Sequence, residues 1–288
     1  MTAGGPGGRT AVLVVVALLA VGPSGHPAAA QVAVNRSSAY LFPTDIHDAR
    51  AVWINPAGLA TTSTASIYAQ LSVGDPGSHG RVRQIDAGFD SRGLSFGYQR
   101  DIFDNGVRGN TYRVGLAGGA GPLAGGLAVA LYRGTNAHAT AWNAGVTYLL
   151  YSGLTIGLVG ADIGQPTVRG TPQRVTYIPG LTWRPAPLPA LALSTLARIT
   201  PDSVNAFAFG VSWHTPWTSL AAVHRWPIAI LARLDTDGKL RRGAFALALS
   251  LGSQDQVGLV GTTPGDVSRV DAASLYALSA REAGGRRH

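Results

Sequence analysis

Residues 93–97, Gly-Leu-Ser-Phe-Gly, satisfy the G-x-S-x-G pattern of a nucleophile elbow. That device needs a strained strand-to-helix turn, with Asp and His partners further along the chain. Here the five residues lie inside a stretch that alternates large and small side chains and is followed by another such stretch. Ser95 therefore reads as a small inward-facing strand residue. Asp235-Thr236-Asp237-Gly238 opens like a calcium loop, but the position of the closing glutamate falls on Ala246, so the tetrapeptide reads as a hairpin turn built on Asp-Gly. The glycine-rich run 115–126 lacks the Lys-Ser/Thr of a phosphate loop and precedes a strand rather than a helix. Seven histidines are scattered without metal-ligand spacing, and cysteine is absent. These residues predict no catalytic group, no metal, no cofactor and no enzyme.

The elements carrying these residues announce a different kind of protein. Residues 1–30 carry Arg9, an apolar run over 11–21, and Ala28-Ala29-Ala30 as a small-residue cleavage site, the layout of an export signal cut before Gln31. That run is shorter than the roughly 20 residues of a membrane-spanning helix, and no later run approaches that length. Only 13% of the residues are charged, against roughly 25% in soluble domains. The net charge is +8, but arginine is spread over strand ends and loops rather than clustered on a helix or stacking platform, with Lys239-Leu240-Arg241-Arg242 the one local cluster. Nucleic acid is thereby excluded as a partner, and lipid phosphate at a membrane surface fits these charges better.

Hydrophobicity is distributed with a period of two. Leu127, Val129 and Leu131 alternate with Gly126, Ala128 and Ala130, and Leu94, Phe96 and Tyr98 with Ser95, Gly97 and Gln99. The same split recurs in Phe207, Phe209, Val211 and Trp213 against Ala206, Ala208, Gly210 and Ser212, and again with Phe245, Leu247, Leu249 and Leu251. A soluble sandwich would place Lys, Glu and Thr on the second face to meet water; here it carries Gly, Ala and Ser. Large residues facing lipid and small ones facing a narrow interior are the expectation, with Leu127, Val129, Leu131, Phe207, Phe209, Leu247 and Leu249 outward and Ala128, Ala208 and Ala248 inward.

About fifteen runs of this kind begin near Ser66, Arg81, Gly93, Asn110, Leu123, Ala139, Gly153, Arg174, Leu188, Ser203, Trp217, Ile228, Arg242, Gln256 and Val270. Bacterial single-chain barrels have even strand numbers, so about fourteen strands are expected, with twelve as the alternative. The weakest region is 217–236, which Pro227 interrupts. Longer connections at 74–80, 101–109, 133–138 and 164–173 alternate with tight ones at 91–92, 121–122, 151–152, 185–187 and 215–216, as outer loops alternate with periplasmic turns. Aromatic residues near run ends, Tyr132, Tyr148, Tyr151, Trp183, Trp213, Trp217, Trp226 and Tyr276, are the expected interface girdles.

Before the first run lies Asp48-Ala49-Arg50-Ala51-Val52-Trp53-Ile54-Asn55-Pro56-Ala57-Gly58-Leu59-Ala60. The segment resembles the N-terminal motif of the outer-membrane barrel superfamily that holds the FadL-like long-chain fatty-acid transporters and the PorV/PorQ proteins of type IX secretion. The resemblance implies a plug or hatch inside a fourteen-stranded barrel, formed by Trp53, Asn55, Pro56, Ala57, Gly58, Leu59 and Ala60. A second stretch, residues 160–167 continuing through 177–185, is similar to the PorV-like side: a strand, a loop with a Gly-x-Pro turn, and a returning strand ending in Arg-Pro. The chain departs from the family in being short and in ending on a polar tail, so the closing signal falls to Tyr276 and Leu278. Independently of the resemblance, Asn55 can turn the chain through its side chain, Pro56 fixes φ, and Gly58 permits a positive-φ exit.

The sequence therefore predicts an all-β transmembrane antiparallel barrel: signal peptide 1–30, N-terminal plug 31–63, barrel 64–280 and polar tail 281–288. The resemblance implies a barrel in the bacterial outer membrane, surrounded by its lipid, that either passes small hydrophobic molecules or serves exported proteins as a secretion scaffold or shuttle. The alternative is a soluble periplasmic or secreted β-barrel that binds a ligand.

Overall fold

A chain with large and small residues on opposite parities forms strands whose faces meet different surroundings, and a sheet of such strands removes its exposed edges by closing on itself. The computed structural model describes residues 35–36, 38–60, 64–74, 76, 80–102, 108–134, 137–151, 153–168, 171–215, 227–252, 254–264 and 270–282. The signal peptide expected over 1–30 and the run expected at Trp217 lie outside them.

The strands are β1 (Thr64–Gly74), β2 (Arg81–Ser91), β3 (Leu94–Ile102), β4 (Arg108–Ala120), β5 (Leu123–Gly134), β6 (Ala137–Tyr151), β7 (Leu154–Ile163), β8 (Thr167–Val168) and β9 (Thr171–Pro172). They continue with β10 (Thr176–Trp183), β11 (Leu191–Thr200), β12 (Ser203–Thr215), β13 (Ile228–Asp237), β14 (Arg242–Leu251), β15 (Asp255–Pro264) and β16 (Ala272–Glu282). All but β8 and β9 form one closed antiparallel barrel of 14 strands in sequence order, and β8–β9 is a small hairpin in the connection from β7 to β10. Closure is made by β1 on β16, in unbroken register from Thr64↔Glu282 to Gly74↔Ala272. Strand β16 thus runs into the stretch read as a polar tail.

The two faces separate as the parity requires. Leu127 is 56% exposed on the outer face while its neighbour Ala128 is 1% exposed, and Phe209 at 45% sits beside Ala208 at 0%. Leu247 and Leu249 are outward and Ala248 inward. Ser95, on the inner face opposite Asp90 of β2, donates its hydroxyl to the Phe89 carbonyl at 2.8 Å and lies within a strand rather than at a strand-to-helix turn.

The connections at the end that holds the start of β1 and the finish of β16 are tight at Arg92-Gly93, where both φ angles are positive, and at Gly121-Pro122. One connection departs from the expectation. Arg133↔His138 and Gly134↔Ala137 are paired, so only residues 135–136 remain of the loop expected at 133–138. Strand β12 runs to Thr215, into the turn expected at 215–216, and the chain from 216 to 226 lies outside the described residues; β13 begins at Ile228, directly after Pro227.

Of the aromatics expected at the interfaces, some face outward and others inward. Tyr148, Tyr151, Trp183 and Trp213 are exposed on the outer face near the end that carries the strand termini β1 and β16. Tyr276 is 5% exposed and points inward, because it shares the inner parity of β16 with Ser274 and Leu278. Tyr132 shares the inner parity of Ala128 and Ala130, and its hydroxyl lies 3.5 Å from Asp162 Oδ1. Trp217 and Trp226 fall outside the described residues. Exposed aromatics that were not anticipated are Trp142 and Tyr177.

Val129, near the middle of β5, should tolerate arginine poorly: V129R should lower stability by about 2–4 kcal/mol in guanidinium unfolding from lipid vesicles. Unfolding midpoints equal to those of the unsubstituted protein would refute the lipid-facing assignment.

Candidate functional site

The N-terminal segment enters the barrel and is folded by its own short-range hydrogen bonds. Asn35 Oδ1 accepts from the Ser38 amide at 3.0 Å and from the Ser38 hydroxyl at 2.8 Å. A single helical turn, α1 (Ala51–Ile54), runs into a 3-10 turn, Pro56–Ala60. Between them Asn55, wholly buried, accepts from the Ala57 amide at 3.1 Å and donates to the Pro43 carbonyl at 2.8 Å, tying the two arms of the segment together. Gly58 is not a positive-φ exit, contrary to the expectation: a Cβ there would run into the Ile46 carbonyl, so its role is space. Trp53, Asn55, Pro56, Ala57, Gly58 and Leu59 are buried and Ala60 half-buried.

The barrel wall holds this segment from several sides. Arg113 of β4 donates to the Val52 and Trp53 carbonyls at 3.2 and 3.1 Å, with its guanidinium 4.9 Å from the Trp53 ring. Those carbonyls lie at the C-terminal end of a helical turn, where a cation is favourable. Arg233 of β13 does the same across the lumen, donating to the Leu41 carbonyl at 2.9 Å and lying 4.9 Å from the Phe42 ring. Its orientation is set by Asp235, which accepts at 2.9 and 2.7 Å. The Trp53 indole donates to the Tyr68 hydroxyl, Ser66 Oγ accepts from the Ala49 amide at 2.8 Å, and Asn35 donates to Asp86 at 2.9 Å. Thr44 and Thr182 share a hydroxyl bond of 2.7 Å, and Asp45 pairs with Arg184.

Within the segment, Arg50 bridges Asp48 at 2.7 Å and Tyr40 at 2.9 Å, with its guanidinium 4.8 Å from the Tyr276 ring. Burial opposes the charge on Asp48, but the Arg50 guanidinium and its hydrogen bonds outweigh it and hold the carboxyl below the usual carboxylate range. The same carboxylate raises Arg50 against its burial.

Between these contacts the wall meets the segment with glycines, which have no side chain. A Cβ on Gly97 would lie 2.7 Å from the Trp53 ring, one on Gly115 3.0 Å from Leu59 and Val52, and one on Gly180 2.9 Å from Pro43. On Gly126 it would strike the Pro56 backbone, on Gly145 the Asn55 side chain and on Gly210 the Phe42 ring; on Gly157 it would lie 2.9 Å from Thr44. Two of these contacts fall on direct cross-strand pairs, Gly126↔Gly145 and Gly157↔Gly180. The belt follows β3 to β7, then β10 and β12. The sequence reading recognised the segment but none of its wall partners; an arginine on the small-residue parity, as at Arg113 and Arg233, is the signal that marks them.

No protein-family model and no curated protein matches the chain. Among solved structures it is similar to the toluene transporter TbuX of Ralstonia pickettii, with a TM-score of 0.55 at 11% identity over 84% of this chain and 98% of that one. Weaker likenesses are to a bacterial polysaccharide outer membrane secretin (TM-score 0.43, 12% identity, 75% and 97% covered) and to the KdgM porin (0.39, 9%, 74% and 98%). At such identity the likeness to TbuX concerns the fold.

The belt can be tested against a glycine that faces nothing. With a cysteine reporter at Leu59, which is fully buried, G145L should leave a heat-modifiable barrel but expose the reporter to a bulky membrane-impermeant maleimide. G118A, where a Cβ meets nothing within 4 Å, should leave the reporter protected. Equal labelling in both would show that the segment does not rest on the belt.

Proposed function

We propose that the protein is an integral outer-membrane barrel that passes small molecules through a lumen closed by residues 38–60. The observation that carries the reading is the outer face: Ile67, Leu116, Leu127, Leu259 and Leu275 on one half of the closed sheet are each more than half exposed, and Leu158, Phe209 and Leu247 on the other half are exposed as well. A soluble barrel would aggregate through such a surface, whereas a bilayer buries it. This argues against the soluble ligand-binding alternative. The plug favours passage over a secretion scaffold, since a segment keyed into the lumen regulates what goes through it rather than what docks outside.

The cargo class follows from one side of the lumen. Ile178, Leu196 and Ala208 pack around Phe42 of the plug, and Ala246, Ala248 and Val260 line the neighbouring strands. Small apolar molecules suit that wall, and TbuX, whose fold the barrel shares, is a toluene transporter. The PorV-like scaffold role, raised by the sequence resemblance, has no comparable support.

Deleting residues 37–60 should leave an assembled barrel that conducts ions freely in planar bilayers, where the intact protein conducts little. Unchanged conductance would rule out the plug as the closure. The Asp48–Arg50 pair sets an acid limit on the closed state. Because the Asp48 pKa is depressed in the folded protein, the contribution of the pair is complete above the ordinary carboxylate range and is lost only as pH falls through the lowered value. Closed-state conductance should therefore stay flat from about pH 8 to about pH 5 and rise only in stronger acid.

A further inference from the structure

Three exposed arginines on the barrel rims are paired with a carboxylate. Arg241 meets Asp237 at 2.7 Å, Arg281 meets Asp255 at 2.7 Å, and Arg174 meets Asp202. One strip departs from this pattern. At the end opposite the β1 start, Arg100 (β3), Asn110 (β4), Arg133 (β5) and His138 (β6) are successive cross-strand neighbours, all on the outward parity. Among the described residues neither Arg100 nor Arg133 has a carboxylate partner; Arg133 donates only to the Tyr132 and Ala139 carbonyls, at 2.9 and 3.4 Å. The aspartates of the neighbouring strands, Asp86 and Asp101, are on the inner face.

Directly beneath the strip, toward the middle of the strands, lies an aromatic ladder. Tyr98 and Tyr112 pair with ring centroids 5.3 Å apart, and the Tyr98 hydroxyl donates to Asn110 at 2.9 Å. Below them Phe89 and Phe96 stack at 6.1 Å. Phenyl rings, then tyrosines, then cations is the order in which a bilayer changes from acyl chain through interface to headgroup. Arg100 and Arg133 are two strands apart, roughly 10 Å along the sheet, a span that two extended side chains close around one anionic headgroup.

We infer that Arg100, Asn110, Arg133 and His138 form a binding site for the phosphorylated headgroup of a lipid in the surrounding leaflet. Arginine presents a planar fork of donors matched to phosphate oxygens, and two arginines with no carboxylate partner among the described residues can both engage them. The exposed His138 and the half-buried Asn110 add donors, while the tyrosines seat the lipid's glycerol or sugar. The site rests on the membrane reading proposed above.

The probe is diphosphorylated lipid A, titrated into the folded full-length barrel in non-ionic detergent and followed by native mass spectrometry. Heat-modifiable migration and insertion into vesicles are scored first, since failure there sinks the membrane reading rather than the site. The R100Q/R133Q variant should bind lipid A about thirtyfold more weakly than the unsubstituted barrel, from roughly 1 kcal/mol for each arginine near an anionic surface. The R241Q variant, which removes a carboxylate-paired arginine, should bind as tightly as the unsubstituted protein. Dephosphorylated lipid A should bind both barrels equally weakly. An inserted R100Q/R133Q barrel that retains full affinity would overturn the site, as would displacement of the lipid by millimolar inorganic phosphate, which would make it a pocket for a free anion.

Discussion

The structure depends on a steric constraint inside the barrel: the N-terminal segment passes the wall at contact distances that leave no room for a Cβ. Gly97, Gly115, Gly126, Gly145, Gly157, Gly180 and Gly210 each face a different part of that segment. A glycine within a strand loses packing and conformational entropy relative to larger residues, so such a belt is destabilising for the sheet alone. The compensation comes from the segment, which buries Phe42, Ile46, Val52, Trp53 and Leu59 against the bare backbone. Each of those side chains contributes on the order of 1.5–3 kcal/mol when taken out of water. Plug and wall are therefore one core, divided between two parts of the chain.

Polar chemistry inside that core is arranged so that charges position backbone. Arg113 and Arg233 approach from opposite sides, and each combines carbonyl acceptance by the segment with stacking on one of its rings. Asp235 keeps Arg233 aimed, and Asp48 keeps Arg50 aimed. In a low-dielectric lumen an unpaired guanidinium would be costly, so these pairs fix geometry as much as they add stability. Outside, the logic reverses. On the β3–β6 rim two arginines stand above an aromatic ladder with no carboxylate partner among the described residues, a surface complementary to anionic lipid.

Much of the barrel was legible in the sequence because a strand writes its two environments on alternate residues. Leu127 against Ala128, and Phe209 against Ala208, declare an apolar exterior and a narrow interior before any pairing is known. Parity also carries the failures. Tyr132 and Tyr276 were read as girdle residues from their nearness to strand ends, but each shares the inner parity of its strand, and the parity decides which way it points.

The sequence by itself determined the closed antiparallel sheet, its approximate strand number and the turn at Asn55 and Pro56, since these follow from local alternation and from an Asn-Pro pair at fixed positions. Tertiary structure alone decided where that compact segment sits and what holds it. Gly126 and Gly145 are adjacent only because β5 pairs with β6 in one register, and Arg113 and Arg233 meet the same segment only because the sheet closes β1 onto β16. A glycine in a strand looks the same in sequence whether a side chain or open lumen faces it, as Gly145 and Gly118 show. The contact that distinguishes them is made across the barrel by residues far apart in the chain.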